Sequence, residues 1–334
     1  MNDIRKYGRL FFMIVLALLF VMTILKKGFI KTSQTNIGVL SKDSLWSGKT
    51  PDLLPNDTSS HSALIRYGYE LIAHTSKYLG PNGQVKRITN GMNCQNCHLQ
   101  AGAKAWGLNY GSVAANYPKF RARSGTFESI YKRINDCLER SLNGHGLDSN
   151  SSEMQAFASY ILWLGADIPK GTIAKGSGIN NLAFLNRAAN PDIGKALYNT
   201  NCSKCHGNNG EGMRDSSENG NYFLNPPLWG KSSYNHGAGI NQLSKLAGFI
   251  KNNMPNGINY QQPFLTNQEA WDLAAYINTQ ARPNKDLSKD WPSLATKPFD
   301  YPYGPYADSF PQSMHQLGPF APIQTYWKNK TNSK

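Results

Sequence analysis

The chain has 334 residues, with 35 lysines and arginines against 21 aspartates and glutamates, and a formal net charge of +14. That length favours two domains, because a single core rarely grows past roughly 100–200 residues; 17% charged and 11% aromatic residues exclude global disorder, and 30 glycines with 18 prolines show no collagen-like period. Residues 1–31 hold six of the bases and one acid, leaving 29 against 20, or +9, over residues 32–334. With no Lys/Arg-rich run and no nucleic-acid motif, this excess excludes a nucleic-acid partner and suits a field for small anions.

The first element is apolar. Leu10 to Leu25 are 16 consecutive positions, all apolar except Thr23, flanked by Arg5, Lys6 and Arg9 before and Lys26 and Lys27 after. At ~1.5 Å per residue they span about 24 Å, slightly short of a ~30 Å hydrocarbon core. Leu25-Lys26-Lys27-Gly28-Phe29 offers no small-x-small cleavage site, so residues 1–31 read as an uncleaved anchor, with a cleaved signal peptide as the alternative. Both readings export the rest of the chain, giving a periplasmic protein that the first reading tethers to the inner membrane.

Export with five cysteines ordinarily suggests disulfides, but the spacing says otherwise. Cys94-Gln95-Asn96-Cys97-His98 and Cys202-Ser203-Lys204-Cys205-His206 are both C-x-x-C-H, the attachment signature of c-type haem. Two thiols on one turn form thioethers to the vinyl groups, and the adjacent histidine is placed to ligate iron. A thioredoxin-like pair or half a zinc site competes for a lone C-x-x-C. Two copies, each followed by His in an exported chain, point to two covalently bound haem c groups.

Around these motifs the pattern predicts two all-α units. Residues 62–79 place Ala63, Leu64, Tyr67, Leu71, Ile72 and Tyr78 at helical spacing and lead into Cys94, and a helix over 153–164 closes the first unit. Pro191-Asp192-Ile193-Gly194 opens a second helix running into Cys202, and residues 266–281 close that unit, with Thr266 and Glu269 as a capping box. The organisation is a first domain over 50–168, a linker over 169–188, a second domain over 189–282 and a segment over 283–334. That last segment holds eight prolines interleaved with Tyr301, Tyr303, Tyr306, Phe310, Phe320, Tyr326 and Trp327, too aromatic for a free tail; an extended strap across both domains is expected. A helix feeding each haem motif, with an apolar helix packing back, resembles the class I cytochrome c fold.

Each iron needs a distal ligand or an open site. In the second unit Met254, in Asn252-Asn253-Met254-Pro255, stands in a loop before the last helix; Met213 and His236 are alternatives. The first unit has no Met-Pro loop, but it has Cys137, the one cysteine outside the motifs. Residues 126–142 suit a helix stopped at Asn143-Gly144, on which Arg133, Cys137 and Ser141 share a face. Arginine beside cysteine lowers the thiol pKa and supplies a fork for an oxyanion, and a buried inert cysteine beside a solvated arginine is the other reading.

Asn93-Cys94-Gln95-Asn96-Cys97-His98, Arg123, the run from Arg133 through Cys137 and Ser141 to Gly144, the second C-x-x-C-H and Asn253-Met254-Pro255 together resemble the dihaem thiosulfate dehydrogenase family, whose members also act as tetrathionate reductases. The resemblance implies that Cys137 is the distal ligand of the first, catalytic haem and Met254 that of the second, electron-transferring haem. It also implies that Arg123, Arg133 and Ser141 are active-site residues. Some members carry lysine before the ligand methionine, where this chain has Asn253. The expected reaction joins two thiosulfates into tetrathionate and releases two electrons to a small periplasmic cytochrome or a membrane quinone-linked partner. Cys137 is expected to leave the iron in turnover and form a persulfide-type adduct. A non-catalytic dihaem electron carrier and a dihaem peroxidase, drawing a ligand from His61, His74, His145 or His315, are the alternatives.

Overall fold

The computed structural model describes residues 45–215 and 222–332; the apolar segment at residues 10–25 lies outside them. Among the described residues no helix is long and apolar enough to cross a membrane. Over the described residues the fold is helical, with two short antiparallel hairpins.

In the first unit α1 (Ser60–Ala73) starts where the Ser59 hydroxyl accepts from the Ser62 N–H at 3.2 Å, and it buries Ile65, Gly68, Leu71 and Ile72 along one stripe. The expected 62–79 helix is broken at His74, after which α2 (Thr75–Leu79) begins. The break serves the motif: Thr75 Oγ1 accepts from the Cys94 N–H at 2.9 Å, and the Ser76 N–H donates to Asn93 Oδ1 at 2.8 Å. Strands β1 (Lys119–Arg121) and β2 (Thr126–Glu128) form a hairpin, so α3 covers Ile130–Arg140 rather than starting near residue 126. Beyond α3, Asn143 adopts φ 44°, the expected stop. Helix α4 (Ser152–Leu164) packs across α1, and its Phe157, Tyr160 and Leu164 fill the core with Leu71, Met92 and Leu138.

The second unit repeats the plan. Helix α5 (Pro191–Asn201) is capped by Asn190, with Pro191 where no N–H is needed, and α6 (Ser203–His206) carries the motif. After the β3 (Met213–Arg214) and β4 (Phe223–Asn225) hairpin come α7 (Leu243–Asn253) and α8 (Asn267–Thr279). The Thr266–Glu269 capping box is present: the Glu269 N–H donates to Thr266 Oγ1 at 3.2 Å and the Thr266 N–H to Glu269 Oε2 at 2.7 Å. Tyr198, Trp271, Leu273 and Leu246 form the core, each contributing about 1.5–3 kcal/mol by leaving water.

The C-terminal segment touches both units. It is extended as expected through residue 311 apart from one turn at Leu294–Thr296, but then folds into α9 (Gln312–Leu317) and α10 (Ala321–Asn332). Pro322 sits in the first turn of α10, where a missing N–H costs nothing, so proline there starts a helix instead of preventing one. Phe320 and Ile323 enter the second core; Asp290 grips Arg140 of α3 with two bonds of 2.7 Å.

Candidate haem-linked active site

The first motif is a 3-10 turn, Cys94–Asn96, tightened by a 2.9 Å bond from the His98 N–H to Cys94 O. His98 Nδ1 lies 2.5 Å from Leu108 O. A carbonyl only accepts, so Nδ1 carries the proton and Nε2 keeps its lone pair. Burial pushes the imidazole down to about 4, opposed by the Leu108 bond and aided by Arg133, so the ring is neutral. Tyr110 stacks on it with centroids 4.5 Å apart. Gly102, at φ 85°, makes that stacking possible, since a Cβ there meets the Tyr110 ring at 2.0 Å. Gln100, Ala101, Trp106 and Leu108 also adopt positive φ, a strain of about 1–3 kcal/mol each that wraps the backbone round the histidine.

Cys94, His98, Tyr110, Tyr117, Arg133 and Cys137 line one cavity of about 170 Å³. Helix α3 thus brings two of its three expected residues to His98. Cys137 favours the protonated Arg133, outweighing the cost of burying the guanidinium. The Arg133 side chain has no hydrogen-bond or ion-pair partner among the described residues. Burial pushes the Cys94 and Cys97 thiols up to about 12, with Cys137 a smaller contribution to each. Ser141 caps α3, donating its N–H to Cys137 O at 2.9 Å, and its side chain does not line the cavity. Arg123 also stands outside the lining: it donates to Gly237 O, lies 4.0 Å from Asp290 Oδ2 and covers the Trp291 ring at 4.7 Å.

At the second motif the His206 N–H donates to Cys202 O at 2.9 Å, and His206 Nδ1 donates to Pro226 O at 2.8 Å. Burial holds this imidazole below its ordinary pKa. Cys202, Cys205, His206 and Met254 line a cavity of about 520 Å³ whose far wall includes Gln95 and Cys97 of the first motif. Met254 follows α7 as its C-cap. Met213 is exposed on β3, and His236 pairs with Asn284 at 3.0 Å; neither lines this cavity. His74 borders it, whereas His315 is locked between Phe299 O and Asp308 Oδ1. Asn253 is buried and bonds Trp106 O and Phe249 O, each at 3.1 Å.

The donor sets fit haem c. Each centre offers two thiols on one turn with no disulfide between them, a neutral imidazole with a free Nε2, and an apolar cavity holding a sulfur side chain. Two features had no sequence signal. Asp290 organises Arg140 and Arg123 from a distant segment, and Lys245 projects from α7 beside the arginines.

Comparison with known proteins agrees. The family model for the SoxA/TsdA cytochrome c domain matches residues 84–169, and that for cytochrome c matches residues 191–281. The thiosulfate dehydrogenase of Psychrobacter arcticus is 39% identical over 254 residues, covering 74% of this chain and 73% of the relative. That of Allochromatium vinosum is 38% identical over 200 residues, covering 59% of this chain and 72% of the relative. The solved thiosulfate dehydrogenase (TsdBA) of Marichromatium purpuratum, in its "as isolated" form, is 32% identical with a TM-score of 0.64, covering 72% of this chain and 50% of the solved one. Two cytochrome c domains with two covalently bound haem c groups make up this chain, and it belongs to the thiosulfate dehydrogenase family.

Proposed function

We propose that this protein interconverts two thiosulfates and tetrathionate at the first centre and passes electrons through the second, with Cys137 and Met254 as the distal ligands. The observation that carries the reading is Arg133: a half-buried guanidinium without a protein acceptor among the described residues, beside Cys137, in the cavity that His98 lines. Such a fork binds a sulfonate through charge-assisted hydrogen bonds.

The reaction is 2 S₂O₃²⁻ → S₄O₆²⁻ + 2 e⁻, which brings two dianions together. When bound, the two haem c groups supply two one-electron acceptors. The chain supplies the rest. Arg133, with Arg123 behind it, offsets repulsion between the anions. The Cys137 thiolate forms an S–S bond to the sulfane sulfur of one thiosulfate as two electrons leave, giving Cys–S–S–SO₃⁻. The second thiosulfate attacks the sulfane sulfur of that adduct, releasing tetrathionate and restoring the thiolate. Ser141, outside the cavity lining, closes α3 behind Cys137 and holds that turn in place rather than touching the anion. Cys97 borders the second cavity, so the electron route to the second centre runs through the first motif's own turn. A small periplasmic cytochrome or a quinone-linked membrane protein takes the electrons onward.

Anaerobic stopped-flow spectroscopy tests this reading. Chemically reduced protein freed of reductant is expected to reoxidise on adding tetrathionate, and oxidised protein to be reduced by thiosulfate. Cys137→Gly, with both haems retained, should abolish both. Silence towards both anions would leave an electron carrier; peroxide turnover in that case would favour the peroxidase reading, for which His74 is the nearest candidate ligand.

A further inference from the structure

We propose that Lys245, contributed by the second domain, is an anion-binding residue of the sulfur-anion site, holding the sulfonate group of thiosulfate as it enters beside Arg123 and Arg133. The inference rests on the function proposed above and adds a residue to it.

Helix α7 is pinned to the C-terminal segment at its first turn. The Leu243 N–H donates to Asp300 O at 3.1 Å, the Ser244 N–H to Asp300 Oδ2 at 3.0 Å, and Gln242 Nε2 to Asp300 Oδ1 at 2.9 Å. The next residue, Tyr301, lies under the Arg123 guanidinium at 5.5 Å and against Trp291 at 4.7 Å. Asp300 and Tyr301 therefore carry the first turn of α7 to Arg123, close enough that Arg123 bears on the Lys245 ammonium of that turn.

The charges there do not balance. Arg123, Arg121 and Arg133 all act on Lys245, and Asp300 opposes them. Both Asp300 oxygens are already occupied, and Asp290 is committed to Arg140. Arg121 has Glu128 at 3.9 Å. Lys245 reaches solvent over part of its length while packing against this wall and, like Arg133, its side chain has no hydrogen-bond or ion-pair partner among the described residues. Desolvation by the crowded wall, and after it Arg123, push its ammonium down to about 8. Like charges held together with few and shared counter-ions destabilise the empty site and favour an anion within it. Two thiosulfates bring four negative charges, which the two arginines Arg123 and Arg133 do not match alone.

The test uses haem-loaded protein and steady-state thiosulfate oxidation, with sulfate as a redox-inert dianion probe. Lys245→Gln is expected to raise KM for thiosulfate and the inhibition constant of sulfate roughly tenfold, the loss falling on KM rather than kcat. Lys245→Arg is expected to stay near the wild type. Because the ammonium is charged below about 8 and neutral above it, wild-type KM should rise between about pH 7 and 9. That limb should vanish in both variants, since glutamine has no charge to lose and arginine keeps its own. An unchanged KM and pH profile in Lys245→Gln, with wild type active and Arg133→Gln impaired, would overturn this inference and leave the proposed function standing. A wild type inert to both thiosulfate and tetrathionate would overturn both together.

Discussion

Arg133 carries the largest share of the chemistry assigned to one side chain. It is half-buried one helical turn before Cys137, and its donors meet no protein acceptor among the described residues. Cys137 beside it favours the charged guanidinium, and in the proposed reaction that charge meets its acceptor when the oxyanion arrives. Arg133→Gln, which keeps a donor but removes the charge and the fork, is expected to lower kcat/KM for thiosulfate by about 100-fold, in line with loss of one preorganised donor. Haem content and visible spectrum should be unchanged, so pyridine haemochrome quantification beside the kinetics separates lost binding from lost cofactor. The two C-x-x-C-H motifs were legible in the sequence because covalent haem attachment dictates their spacing, and the meeting of Arg133 with Cys137 because four residues on a helix share a face. Lys245 and Asp290 were not. Each looks like a solvated charge on its own stretch, and only pairings across more than 100 residues, such as Asp290 with Arg140, give it a role.

Among elements, the two haem units share one device. Where α1 crosses α4, a Cβ on Gly68 meets Ala156 O at 2.0 Å; where α5 crosses α8, a Cβ on Gly194 meets Asp272 O at 2.0 Å and Tyr276 Cβ at 2.8 Å. Backbone touches backbone at both crossings, and the missing side chain sets the helix separation. Gly194→Val is expected to destabilise the second unit by about 2 kcal/mol through overpacking, a fall of roughly 4–8 °C in Tm. Gly239→Ala, where nothing lies within 4 Å and φ is unstrained, should leave the melting curve unmoved. Thermal unfolding followed by far-UV circular dichroism checks both. The helices themselves were readable, because apolar periodicity and caps such as Thr266 with Glu269 act locally. The start of α3 was not: residues 126–128 have helix-compatible composition, and their pairing with Lys119–Arg121 overrides it. The break at His74 was hidden likewise, since its cause, the hold of Thr75 and Ser76 on the first motif, lies about 20 residues on.

At the scale of the whole molecule, the C-terminal segment acts as a clamp. Its prolines and aromatics announced a strap, while its winding into α9 and α10 depended on core positions for Phe320 and Ile323 that the sequence does not display. The strongest polar contact of the clamp is Asp290 with Arg140, two bonds of 2.7 Å between side chains 6% and 13% exposed. The Trp291 N–H adds a bond to Arg123 O at 2.6 Å, and the Trp291 ring backs the Arg123 guanidinium. One short stretch thus holds α3 from outside and backs the Arg123 guanidinium. Asp290→Ala leaves Arg140 buried without its partner, and such a break costs about 3–5 kcal/mol. A ligand effect accompanies it: Arg123 loses its nearest carboxylate and part of its support, so KM for thiosulfate should rise as well. The double variant Arg140→Leu/Asp290→Leu removes both charges and fills the space, and buried pairs replaced in this way often cost little. It should therefore recover most of the lost stability while Arg123 still lacks its carboxylate and KM stays raised. Urea unfolding and steady-state kinetics on the two variants measure these quantities separately. If KM returned to the wild-type value together with stability, the clamp would be acting through global stability alone and its role in orienting Arg123 would be refuted.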